Sequence, residues 1–81
     1  MNWENYIHSD PDILVGKPVI KGTRLSVEFI LGLFSTGWTE QQIFENYPTL
    51  TKDSLKAIFA FTSEYMRDMT MYVIPMSREA S

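Results

Sequence analysis

The uneven placement of proline and glycine is the feature that most constrains the fold of this chain. Pro11, Gly16, Pro18 and Gly22 all fall within residues 1–25. Proline cannot donate a backbone hydrogen bond inside a helix, and both residue types favour turns. We therefore expect turns and short extended pieces in the N-terminal part of the chain, and helices after it.

Two short apolar runs in this N-terminal part predict strands. Residues 6–8 form the first run, and Val19–Ile20 form the second. Residues 21–23 separate the second run from residues 24–27, which predicts a tight hairpin or bend between them. Gly22 is expected to take the positive φ that such a bend requires.

Capping residues predict where the first two helices begin and end. Ser26 is a suitable N-cap for a first helix that runs to about Ser35, and Gly37 is a C-terminal stop signal. Thr39 and Gln42 have the spacing of a capping box, which predicts the start of a second helix.

The third helix is predicted to be the longest. The second helix should end near Tyr47, because Pro48 disfavours the helical conformation in its predecessor. Thr51 can cap a third helix over residues 52–68. We therefore divide the chain into a domain over residues 1–68 and a C-terminal tail over residues 69–81.

Helical projection gives the first helix two apolar faces. Phe29 and Leu33 lie opposite the expected core face, so a second apolar face must also be covered. The N-terminal segment or another subunit could cover it, and we predict Phe29 and Leu33 as partner-binding residues of a homodimer. The expected core face consists of Val27, Ile30, Leu31 and Phe34.

The same projection of the third helix separates a core face from a basic stripe. The ordinary interpretation of the stripe is a solvated face, and the alternative is a surface that approaches phosphates. The stripe consists of Lys52, Lys56, Ser63 and Arg67. The expected core face consists of Leu55, Ile58, Phe59, Thr62, Met66 and Met69, with Tyr65 at its edge.

The composition of the chain argues against several classes of function. Eighty-one residues suffice for one domain with a single core, and the net charge of −3 argues against a strongly basic nucleic-acid binder. Cysteine is absent and His8 is the only histidine, so the usual zinc ligand sets are excluded. No serine sits in a glycine-flanked elbow. We therefore expect no catalytic residues, no metal and no cofactor, and predict that the protein is not an enzyme.

One local concentration of positive charge lies before the first helix. Lys17, Lys21 and Arg24 fall within eight residues. Lysine at a strand edge is ordinary protection against aggregation, and Arg24 could instead clamp Asp10 or Asp12. The functional alternative is a corner that contacts phosphates, so all three, with Lys52, Lys56 and Arg67, are candidate DNA-binding residues.

Three helices with short connections predict a mainly α fold, a compact three-helix bundle of the kind used by helix-turn-helix DNA binders.

Two segments of the sequence resemble a known family. DPDILVGKPVIKGTRLSV spans residues 10–27, and GWTEQQIFENYPTLT spans residues 37–51. Together they resemble the signature of the prokaryotic domain-of-unknown-function family 433, over roughly residues 3–66.

The resemblance implies a homeodomain-like helix-turn-helix fold and the role of antitoxin in a type II toxin–antitoxin pair. The expected partners are DNA and a toxin with a PIN-like nuclease fold. Gly16, Pro18, Gly22, Thr23 and Arg24 match the signature, and their expected role is to shape the loop before the first helix.

The leading hypothesis from sequence is therefore an antitoxin-like DNA-binding regulator. A stand-alone transcriptional regulator and a non-enzymatic homodimeric interaction module remain as alternatives. Met71, Tyr72 and Ile74 in the semi-apolar tail are further candidate partner-binding residues, since methionine-rich segments adapt to irregular surfaces. No apolar run reaches the length of a membrane helix and no signal peptide is expected, so we predict a cytoplasmic protein.

Overall fold

In the part of the chain that the structure describes, two short strands precede three helices. The computed structural model describes the backbone of residues 1–73 and the side chains of residues 1–68. The predicted mainly helical fold with a short N-terminal β element is confirmed. The elements are β1 (Ile7–His8), β2 (Val19–Ile20), α1 (Val27–Ser35), α2 (Glu40–Asn46) and α3 (Lys52–Val73).

The N-terminal sheet pairs strands that are distant in sequence. β1 runs antiparallel to β2, with Ile7 opposite Ile20. Residues 24–27, the predicted hairpin partner of β2, contribute an isolated bridge rather than a strand. The predicted bend is present, and Gly22 has a φ of 81° within it. This bend turns the chain from the sheet into α1.

Side chains adjacent in sequence cap all three helices, as predicted. Ser26 Oγ accepts a hydrogen bond from the backbone N–H three residues later, at 2.9 Å. Thr39 and Gln42 form both bonds of a capping box, at 3.2 Å and 2.8 Å. Thr51 Oγ1 accepts the corresponding bond at the start of α3, at 3.1 Å. These bonds satisfy N–H groups that the helix itself leaves without partners.

α3 is longer than predicted. The helix continues to Val73, five residues beyond the expected end at Asp68 and into the segment assigned to the tail. The physical reason is that no proline or glycine interrupts the chain before Pro75. At 1.5 Å per residue its 22 residues extend about 33 Å, whereas α1 has nine residues and α2 has seven.

Each helix contributes one isoleucine to the centre of the core. Ile30, Ile43 and Ile58 have no exposed surface. Ile7 and Ile20 extend this core from the strands. The N-terminal sheet is therefore part of the same hydrophobic core as the helices.

The predicted core face of α3 is correct in part. Leu55 and Ile58 are buried, whereas Phe59 is 48% exposed and Met66 is 44% exposed. α1 and α2 are much shorter than α3, and residues 63–68, in the later turns of α3, are all exposed. The prediction that Phe59 and Met66 lie in the core is therefore wrong.

The second apolar face of α1 is covered in part by the chain itself. Leu33 is half-buried and packs against the core. The ring of Phe29 meets Tyr47 edge-on with centroids 5.8 Å apart, and Tyr47 in turn lies 6.4 Å from Trp38. The covering residues follow α1 and α2, rather than coming from the N-terminal segment. Phe29 nevertheless remains 43% exposed.

Candidate functional site

The basic stripe of α3 lies on the surface. Lys52, Lys56, Ser63 and Arg67 are all exposed. At 100° per residue they fall within a sector of about 60°, and the stripe is about 22 Å long. Among the side chains of residues 1–68, no ion pair involves these three cations. We call these four residues the α3 stripe.

Acidic side chains flank both ends of the α3 stripe. Lys52 lines a shallow groove that also contains Glu40 and Glu45 of α2. Near the other end, Glu64 accepts a hydrogen bond from Trp3 Nε1, so this carboxylate is held toward the N-terminal segment. The carboxylates of α2 lower the positive potential around Lys52, whereas Lys56 does not line this groove.

The three cations before α1 have different environments. Lys17 Nζ lies 3.1 Å from a carboxylate oxygen of Glu28, and both side chains are exposed. Lys21 and Arg24 are exposed, and no ion pair holds either of them in the described part of the chain. The predicted clamp between Arg24 and Asp10 or Asp12 is therefore wrong.

The aspartates of this loop stabilise its backbone instead. Asp10 Oδ1 accepts a hydrogen bond from the backbone N–H of Asp12 at 2.9 Å. This two-residue turn is a local interaction that competes well with a more distant arginine. Arg24 is therefore left available on the surface.

A left-handed turn follows this loop. Leu14, Val15 and Gly16 have φ values of 49°, 57° and 81°. Such values cost a non-glycine residue about 1–2 kcal/mol, and the clash is worse for a β-branched side chain. Backbone hydrogen bonds from Gly16 to Ile13 and from Lys17 to Leu14, at 3.1 Å and 3.2 Å, close the turn. The surrounding structure therefore holds two residues in an unfavourable conformation.

An apolar groove adjoins the left-handed turn. Its volume is about 480 Å³, and both Lys17 and Arg24 are among its lining residues. Val15 is 95% exposed at this groove. We call the lining residues the loop surface. They are Leu14, Val15, Lys17, Arg24, Leu25, Ser26 and Phe29.

Some residues that were predicted to bind DNA or a partner lie on one surface of the structure, together with residues that were not predicted. Lys17, Arg24 and Phe29 share the loop surface, whereas Leu33 is half-buried against the core and lines a neighbouring groove. Leu14 and Val15 were not predicted, because no sequence rule assigns a positive φ to leucine or valine. The only sequence signal for this part of the surface was the apolar pair Leu14–Val15 directly before Gly16.

The predicted tail site falls outside the part described in atomic detail. α3 includes Met71 and Tyr72 in its backbone range, but their side chains and all of Ile74 lie outside the described residues.

Among the described residues, no group of three histidine, aspartate or glutamate side chains is placed to hold a metal ion. Within the same part of the chain, no helix combines the length and apolarity needed to span a bilayer.

Comparison with known proteins identifies the family. Residues 7–62 match the model of the family described as protein of unknown function (DUF433). The chain belongs to this family. The resemblance expected over residues 3–66 is thereby confirmed, and the match includes the loop surface and the first half of α3. Among curated proteins, no match is found.

A solved structure has the same fold. The crystal structure of a DUF433 member protein from Anabaena variabilis superposes with a TM-score of 0.74 at 24% sequence identity. The match covers 84% of this chain and 67% of that chain. At this identity the likeness shows the fold alone, so function has to be argued from the surfaces described above.

Proposed function

We propose that the protein is an antitoxin-like regulator that binds DNA through α3. The observation that carries the proposal is the arrangement of α2 and α3. The short α2 is followed by a five-residue turn and then by the long α3, whose first two turns present Lys52 and Lys56 to solvent. In helix-turn-helix proteins the N-terminal part of the second helix enters the major groove.

The dimensions and charges of the α3 stripe are consistent with this role. A stripe about 22 Å long exceeds the major-groove width of about 12 Å, so its ends can reach phosphates on both sides of the groove. Each lysine or arginine that meets a phosphate adds binding free energy that decreases with salt. The net charge of −3 makes non-specific attraction weak. Affinity then depends on correct placement of the few cations on this helix.

The decisive experiment measures the salt dependence of binding to the DNA upstream of the chain's own gene. Lys52→Ala combined with Lys56→Ala should reduce the slope of log affinity against log salt by about two. The double variant Lys17→Ala/Lys21→Ala is the matched control. It removes the same charge from the N-terminal part, where Lys17 already pairs with Glu28, and should leave the slope unchanged.

A second pair of variants tests the α3 stripe by removing negative charge beside it, rather than positive charge from it. Glu40→Gln and Glu45→Gln remove the carboxylates that share the groove with Lys52. If Lys52 contacts a phosphate, these changes should raise the affinity for DNA. Absence of wild-type binding at low salt, or equal slopes for the two double-lysine variants, would contradict DNA binding through α3.

The antitoxin part of the proposal rests on the resemblance to the family signature. The protein would neutralise a nuclease of the PIN-like fold encoded beside it, and would perform no catalysis itself. We place the protein in the cytoplasm, where the DNA that it would regulate lies. Met71, Tyr72 and Ile74 remain candidate contacts to this toxin.

Co-expression with the product of the neighbouring gene tests the antitoxin role. The expected result is a stable complex in which the nuclease is inactive, and a chain that lacks residues 69–81 should lose this complex. If the shortened chain binds equally well, the tail is not the docking segment. If the full chain forms no complex, the protein is better described as a stand-alone DNA-binding regulator.

A further inference from the structure

One residue in the left-handed turn has two energetic disadvantages: an unfavourable backbone conformation and an apolar side chain in water. Val15 has a φ of 57° and is 95% exposed. Glycine or asparagine would adopt the same backbone with less strain, and neither would place an apolar group in water. Both disadvantages are offset if the valine side chain becomes buried against another molecule. The conformation therefore indicates a contact at this position.

The surface around Val15 carries complementary shapes. Val15 projects beside an apolar groove lined by Leu25 and Phe29. A projection and a groove on the same face allow two copies to bind each other, with each valine in the groove of the other copy. This is the requirement for an interface with two-fold symmetry, in which the same patch faces itself.

The charges on this surface are complementary as well. Arg24 lines the groove and has no ion-pair partner among the described side chains. Glu28 lies on the adjoining surface, where it meets Lys17, and its side chain is 76% exposed. Across a two-fold axis, Arg24 of each copy can meet Glu28 of the other. A nucleic acid would be repelled by Glu28 and would gain little from the apolar groove.

We propose that the loop surface is a homodimer interface in which Val15 of each copy inserts into the groove beside Phe29 of the other. The interface differs from the one expected from sequence, because it combines Phe29 with the left-handed turn, whereas Leu33 is half-buried and does not line this groove. It does not depend on DNA binding or on a toxin. Its occupant is a second copy of this chain.

Sedimentation equilibrium of the full chain over a range of concentrations tests the interface. The wild-type protein should associate reversibly to twice the 9.4 kDa of one chain. Val15→Asn should raise the dissociation constant at least tenfold. At concentrations where both proteins are monomeric, its melting temperature should be higher by roughly 4–8 °C, since asparagine tolerates a positive φ. Val15→Leu keeps an apolar side chain and should keep the dimer.

A charge exchange tests the pairing across the axis. Arg24→Glu and Glu28→Arg should each weaken the dimer about tenfold, and the two changes together should restore it, because the opposite charges then meet again. A wild-type chain that is monomeric at all concentrations overturns the proposal and assigns the groove to a different partner. It is equally overturned if Val15→Asn dimerises like the wild type, or if the exchange restores nothing.

Discussion

The segment before α1 and the segment that carries α2 and α3 acquire their shapes in different ways. In the second segment, each helix begins at a side chain that caps it within three residues, as with Thr39 and Thr51. In the first segment, Leu14 and Val15 adopt a conformation that neither residue favours. Local sequence signals therefore predict the helices, whereas in the loop surface backbone hydrogen bonds hold two residues against their own preference.

The largest effect is expected where the N-terminal sheet joins the core. Ile20→Ala removes a buried side chain from β2 and should lower the free energy of unfolding by about 2–5 kcal/mol. Ile43→Ala, the same change in α2, is the matched control and should have a similar effect. Urea denaturation measures both. A change below 1 kcal/mol for Ile20→Ala alone would mean that the first segment contributes little to the fold.

Two glycines test this difference, because the same substitution should change stability in opposite directions in a turn and in a helix. A Cβ at either Gly22 or Gly32 meets no atom within 4 Å, so only backbone conformation differs. Gly22→Ala should destabilise by about 1–2 kcal/mol, since its φ is 81°. Gly32→Ala lies inside α1 and should stabilise by about 0.5–1 kcal/mol. Effects of the same sign in thermal unfolding would contradict this assignment.

The capping box of α2 tests the claim that this segment follows local rules. Thr39→Ala removes the acceptor for the N–H of Gln42 and should cost about 1 kcal/mol. Thr49→Ala is the control, because Thr49 is exposed and lies between the helices. If both variants unfold at the same urea concentration, the cap contributes nothing to stability.

The smallest effect is expected from the ion pair that joins the first segment to α1. Glu28→Gln removes the partner of Lys17, and exposed pairs of this kind contribute roughly 0.2–1 kcal/mol. Because salt screens such pairs, the difference from the wild type should shrink as the salt concentration rises. A difference that grows with salt would indicate a different role for Glu28.

The helices and their caps could be predicted because the signals lie within four residues of one another. Ser26 and the Thr39–Gln42 pair are at their predicted positions. The prediction for Phe59 was wrong because helical periodicity identifies an apolar face but does not show how completely a neighbour covers it. The ring of Phe34 in α1 reaches Phe59, with centroids 5.5 Å apart, yet Phe59 stays 48% exposed. α1 and α2 are too short to cover the later turns of α3.

The candidate site was less predictable than the fold. The expected Arg24 clamp assumed a distant carboxylate, whereas Asp10 bonds to the backbone two residues away. The left-handed turn at Val15 opposes residue preference, so a sequence pattern could not reveal it. Lys52 and Lys56 were correctly placed on the surface, but the sequence did not show that two glutamates of α2 share the groove beside Lys52.

In the function and the interface proposed above, two surfaces have separate tasks: the α3 stripe meets DNA, and the loop surface joins two copies. The most direct test is the molar mass, measured by light scattering at low salt, of the complex with the duplex from upstream of the gene. We expect the mass of the duplex plus two chains of 9.4 kDa each. The mass of the duplex alone, or of the duplex plus one chain, would contradict it.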